Sequence, residues 1–310
     1  MASSKKKVGK TKAKKKPELK AKKTAAAKTK KQSQKKIAKK PAAAASKKQN
    51  KSKAAAKPEI SWQIWVLVAV AVLAFFAVYS FPPIAQDYAY HNFADNRLCL
   101  NIPNFGNVLS NLPFAIFGIM GLIALHKNKL LKREEKFTWQ VFFVGAALVA
   151  VGSAVYHLSP NNKSLVWDRL PMTVSFMALF TIVIAERINE RIGYNFLPFL
   201  LALGLGSVLY WDHTESAGMG DLRPYVLVQF LPIAIIPLIF ILFKARYTGT
   251  CYFLYTLGWY VLAKILEFMD WQIFTMTSGM ISGHTLKHLA ASMAILSLVQ
   301  YITNRKPLKK

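Results

Sequence analysis

From Ser61 onward the chain is a succession of long apolar runs separated by short polar loops, and this alternation restricts the fold more than any other feature. The first run, Ser61 to Ser80, carries no charge, with Trp62 and Trp65 placed as interfacial anchors. Further runs follow over residues 106–125, 138–158, 166–186, 195–211, 224–243, 250–270 and 281–302, which makes eight candidate spans. In lipid every backbone N–H and C=O must find a partner within its own segment, so each run is predicted to be a helix. The expected fold class is all-α, a polytopic membrane helix bundle. A cleaved signal peptide would have shorter basic and apolar regions than those around the first run, which is therefore read as a retained anchor.

Charge is segregated from this apolar part. The 310 residues carry a formal net charge of +28, yet 53% of them are hydrophobic. Residues 1–59 hold 23 Lys against Glu18 and Glu59, a net +21, which leaves +7 for the rest. A soluble single-domain enzyme is excluded by this division. The Lys/Ala-rich segment has no aromatic residue and too little apolar surface to offset its conformational entropy, so it is expected to be disordered. Such a tail can attract anionic lipid headgroups or nucleic acid; alternatively it only fixes membrane orientation, since no aromatic interleaving marks base stacking. Cys99 and Cys251 provide neither a disulfide framework nor a C-x-x-C metal spacing.

If the tail is cytoplasmic, loops 126–136, 187–194 and 244–249 and the tail 303–310 also face the cytoplasm. These four segments hold thirteen Lys and Arg, whereas the opposite loops hold only Arg97, Lys163 and Arg223. Eight spans with both termini cytoplasmic obey the positive-inside rule. The domain plan is then a tail (1–59), an anchor helix and outer loop (60–105), a membrane core (106–302) and a basic tail (303–310).

Five of the six histidines fall on or near the non-cytoplasmic side of this map. His157 ends the third span, with Ser153 one i,i+4 step deeper, and His284 and His288 are i,i+4 at the start of the last span. Asp168 opens the fourth span. Two helix-borne histidines four apart can share a metal ion, and a third from another helix leaves one position open for water, as in catalytic zinc. Each residue alone has a plainer explanation: His157 as an interfacial side chain, Ser153 bonding its own helix, Asp168 at a helix N-terminus favoured by the dipole. Their convergence at one depth argues for a joint site, because ionisable groups within spans are costly.

These residues lie in segments that resemble the alkaline ceramidase family, within the superfamily of seven-helix transmembrane hydrolases and adiponectin and progestin receptors. The matching segments are N-V-L-S-N-L-P-F (107–114), G-S-A-V-Y-H (152–157), W-D-R-L-P-M (167–172) and G-H-T-L-K-H (283–288). The resemblance implies a seven-helix core formed by the second to eighth spans, with the first helix and basic tail as additions. It implies zinc held by His157, His284 and His288, with Ser153 and Asp168 beside the metal, and an N-acyl lipid substrate within the bilayer. The calcium site of eukaryotic members does not transfer, since Asn104 stands where they have Glu. Asp87, His91 and Asp95 are spaced to align on a helix and form a candidate second site.

The implied chemistry is zinc-assisted hydrolysis of a lipid amide, with Asp168 as proton carrier and Ser153 as hydrogen-bond donor to the developing oxyanion. The alternative is a receptor-like seven-helix membrane protein with a structural zinc site. No H-E-x-x-H or G-x-S-x-G occurs for a metalloprotease or serine hydrolase. Lys264 and Glu267 are expected to pair within the seventh span, and the segment 211–224 is expected to be a solvated turn.

Overall fold

The computed structural model describes residues 61–128 and 131–308, and the regular elements among them are helices. The Lys-rich segment 1–59 lies outside the described residues, as do the last two residues of the basic tail. Helix α1 (Trp62–Tyr79) is followed by a loop containing one 3-10 turn, Tyr88–His91. Short α2 (Phe105–Leu109) leads directly into α3 (Leu112–Lys127). Then come α4 (Arg133–Leu158), α5 (Asn162–Arg187), α6 (Glu190–Ser216), α7 (Arg223–Leu242), α8 (Thr250–Phe268), short α9 (Asp270–Met276) and α10 (Gly283–Asn304).

Six of these segments are long and apolar enough to cross a membrane: α1, α2 with α3, α4, α5, α6 and α7. The chain is thus an all-α, multi-pass membrane bundle. The sequence predicts eight spans; α8 and α10 have the length but fall short in hydropathy. The reason is where their polar residues sit. His284 and His288 on α10 are buried, and Glu267 on α8 is largely covered, so the polarity that lowers the average faces protein rather than lipid. Large apolar side chains such as Leu73 and Phe76 of α1 are exposed, as expected on a lipid-facing surface.

The core is organised by α4 and α5, which pack along each other; α3 flanks α4, α6 flanks α5, and α10 packs against α3 and α8. α1 lies against α7 at the periphery. Trp139, Phe142 and Phe143 of α4 meet Ile182 of α5 and Leu298 of α10 in the main apolar cluster. Two sequence features bring α4 and α5 together near one end. Pro171 lies inside α5 and has no N–H for the carbonyl four residues earlier, Trp167. Gly152 of α4 lies against that carbonyl, where any Cβ would collide with the oxygen. The crossing sets Ser153 beside Asp168's helix and leaves His157 one turn further on.

The opposite end is fastened by ions. Arg305, just past α10, pairs with Glu135 in the first turn of α4 and Glu186 near the end of α5. All three side chains are about 5% exposed or less, and the guanidinium stacks near Tyr247. Arg305 thus belongs to the basic segment 303–310, yet its guanidinium is buried between two carboxylates. Breaking a buried ion cluster costs about 3–5 kcal/mol, whereas neutral replacement of the whole cluster can be nearly free of penalty. Arg305→Ala is therefore expected to lower the thermal unfolding temperature of purified protein sharply. The triple variant Glu135→Gln, Glu186→Gln, Arg305→Met should recover most of that loss in the same melting assay.

Candidate metal centre and active site

His157 arrives near the C-terminus of α4, while His284 and His288 occupy the first two turns of α10. Their placement is fixed by helix ends. Ser282 caps α10 by accepting from the Thr285 N–H (3.0 Å), and Asp270 of α9 accepts from the His284 N–H (2.7 Å). The same Asp270 carboxylate accepts from the Ala94 N–H (2.9 Å), which ties the α1–α2 loop to the start of α10. Gly283 makes a second close approach, with no room for a Cβ against the Leu266 carbonyl of α8.

The three imidazoles converge. Their ring centroids are 4.8–4.9 Å apart, and one nitrogen from each lies within 4.8 Å of the others. All three residues are buried. Two observations fit a metal there. His157 Nδ1 is buried without a hydrogen-bond partner, an arrangement that is costly unless something accepts its lone pair or proton. His288 Nδ1 is engaged by the Ser110 hydroxyl at 2.8 Å, which fixes the ring and leaves the other nitrogen for coordination. Asn104 donates to the His157 carbonyl (2.8 Å), and Phe93 lies against both His157 and His284, with ring centroids 4.6 and 4.5 Å away.

Ser153, Asp168 and His288 line one wall of an apolar cavity of about 180 Å³, which reaches Phe240, Phe253 and Leu298. The five residues expected from the sequence are therefore brought to one place. Lys264 and Glu267 pair as expected, but Lys287 joins them, with its Nζ 2.7 Å from Glu267 and 3.4 Å from His284 Nε2.

Other expectations are corrected. Asp87, His91 and Asp95 do not form a second metal site. Asp87 caps the 3-10 turn, His91 bonds Tyr156 and Asn162 (both 2.8 Å), and both oxygens of Asp95 accept from Arg97 (2.7 Å each). The Arg97 hydrogen bonds hold the Asp95 carboxyl below its usual range. The segment 211–224 is not simply solvated: Glu215 accepts from Trp211 Nε1, Asn162 and the Gln86 N–H, and Asp221 is buried against Arg223.

Residues without an assigned role also emerge as supports. Asn107 accepts from Thr285 (2.9 Å) and, with Ser110, connects α2 to α10. Both lie in the N-V-L-S-N segment, so the motif marks their importance although spacing alone gives no hint of their partners. Asp270 has no such signal. Loss of a hydrogen bond that orients a ligand weakens metal binding roughly 10–100-fold. Ser110→Ala is expected to show such a loss when the metal affinity of the purified protein is measured by chelator competition.

The family model described as Ceramidase matches residues 94–304. A protein from Dictyostelium discoideum named "Putative alkaline ceramidase dcd3B" is 27% identical over 122 residues, 33% of this chain. The aligned part spans 43% of that relative's length.

Proposed function

Because the chain belongs to the ceramidase family, we propose that it is a zinc-dependent integral-membrane amidase that hydrolyses the N-acyl bond of ceramide-like lipids. The observation that carries this reading is the buried trio His157, His284 and His288 beside Asp168 on the wall of an apolar cavity. The three histidines would hold the metal. Zinc in a three-nitrogen site lowers the pKa of water and polarises a carbonyl as a Lewis acid.

The chain's own groups supply the rest. The apolar cavity receives the acyl chain and excludes water from it, which brings the amide to Ser153 and Asp168. Asp168 takes a proton from the attacking water and returns it to the amine nitrogen as the C–N bond breaks. Hydroxide thus ends on the acyl carbon and the proton on the amine. Ser153 is placed to donate a hydrogen bond to the carbonyl oxygen as negative charge develops there. Lys287, held by Glu267, brings positive charge to the cavity that Asp168 also lines. The loop charges support a site facing away from the cytoplasm, with both termini on the cytoplasmic side.

Purified protein is expected to contain about one zinc per chain and to release fatty acid from N-acyl lipids, with the metal held by three protein ligands. His284→Ala should lose both the zinc and the turnover. Asp168→Asn should keep the zinc and lose about 10²–10⁴-fold in kcat. A His284→Ala protein with wild-type zinc content and turnover would sink the proposal.

A further inference from the structure

A second chamber of about 150 Å³, more polar than the apolar cavity, shares part of its lining. Asp168, Met172, Gln229, Tyr260, Lys287 and Ala291 line both, so the proposed proton carrier stands at the seam between them. The rest of the second chamber's lining includes Arg169, the neighbour of Asp168 in W-D-R-L-P-M. Arg169 is only 6% exposed. Its Nη2 donates to Gln86 Oε1 at 2.6 Å, but its Nη1 is buried with no hydrogen-bond partner. Among the described residues it enters no ion pair.

The surroundings supply aromatic faces instead of a counter-ion. The guanidinium carbon lies 4.2 Å from the Trp211 ring, 4.7 Å from Tyr225 and 5.9 Å from Tyr90. Such faces partly replace hydration of a cation but do not accept its remaining N–H groups. Nearby carboxylates are committed elsewhere: Glu215 to Trp211, Asn162 and Gln86, and Glu267 to Lys264 and Lys287. Three cations therefore face the chamber, Arg169, Lys264 and Lys287, against two carboxylates, Asp168 and Glu267. A planar, buried guanidinium with one unpartnered nitrogen, Nη1, is suited to an oxyanion and poorly suited to a neutral head.

We propose that this chamber is an anion-recognition subsite in which Arg169 accepts a phosphate, sulfonate or carboxylate on the amine portion of the substrate. The substrate class is then an N-acyl lipid with an acidic head, its acyl chain in the apolar cavity and its head against Arg169. The inference rests on the amidase reading above, which it narrows.

The test compares two lipids identical in acyl chain and base, one ending in a hydroxyl and the other in a phosphomonoester, in the same mixed micelles. The full-length protein should turn over the phosphorylated lipid with a kcat/KM about tenfold higher or more, the scale of one charge-assisted hydrogen bond. Arg169→Gln should remove that preference by slowing the anionic lipid about tenfold while changing the neutral one less than about threefold. Arg169→Lys, which keeps charge without the fork, should retain part of the preference; it also covers the case in which the glutamine variant fails to fold. Equal kcat/KM for the two lipids in the wild type, or equal losses on both in a folded variant, overturns the subsite. Inorganic phosphate that inhibits turnover of both lipids equally and only when Arg169 is present assigns the chamber to a free anion and overturns the headgroup reading. If neither lipid is hydrolysed, the amidase reading fails by itself, and direct binding decides the subsite. The phosphorylated lipid should then bind the wild type about tenfold more tightly than Arg169→Gln, and equal affinities overturn the subsite.

Discussion

A hydrogen atom at position 152 sets the distance between α4 and α5. Any larger group there would meet the Trp167 carbonyl, and that carbonyl has no helical partner because Pro171 follows four residues later. The local cost of a glycine and a proline inside helices is offset by the packing of two 26-residue helices against each other. Everything at the site inherits this spacing. Ser153 follows Gly152 directly, Asp168 follows Trp167 directly, and His157 lies a little over one turn from the crossing. Position 283 repeats the device between α10 and α8, so His284 too is anchored next to a residue without a side chain. Placing chemistry beside close backbone contacts gives the functional groups little freedom to drift.

The polar groups of the interior fall into two sets with different logic. At the end remote from the histidines, Arg305 is enclosed by Glu135 and Glu186, and its charge is matched. Near the histidines the balance is incomplete: His157 Nδ1 and Arg169 Nη1 are buried without partners. Interiors seldom tolerate such orphans, and where they cluster they mark places built to receive something. Trp139 Nε1, beside Arg305, is also buried without a partner, so what separates the two ends is the ion cluster at one and the unpaired Arg169 cation at the other.

The apolar runs, the helical class and the convergence of Ser153, His157, Asp168, His284 and His288 were legible in the sequence because each leaves a local sign: length, absence of charge, or i,i+4 spacing. The supporting contacts were not. Ser110 meets His288 across 178 positions, and Asp270 reaches both Ala94 and His284, so no periodicity records them. Charge patterning places Arg305 and Glu135 in a tail and a loop but carries no sign that the fold closes over them. The turn 211–224 was misjudged for the same reason, since the partners of Glu215 come from the α1–α2 loop and α5 as well as from its own helix.

The α1–α2 loop covers the site from a part of the chain with a different standing. Gln86, Tyr90, His91 and Phe93 touch Arg169, Tyr156, Asn162 and the histidine rings, yet all four precede residue 94, where the family match begins. The roof over the centre is therefore drawn from residues that precede the matched segment, and α1, packed on α7, is the hawser that moors it. Divergence in that roof can alter what reaches the histidines while the walls that hold them stay as they are.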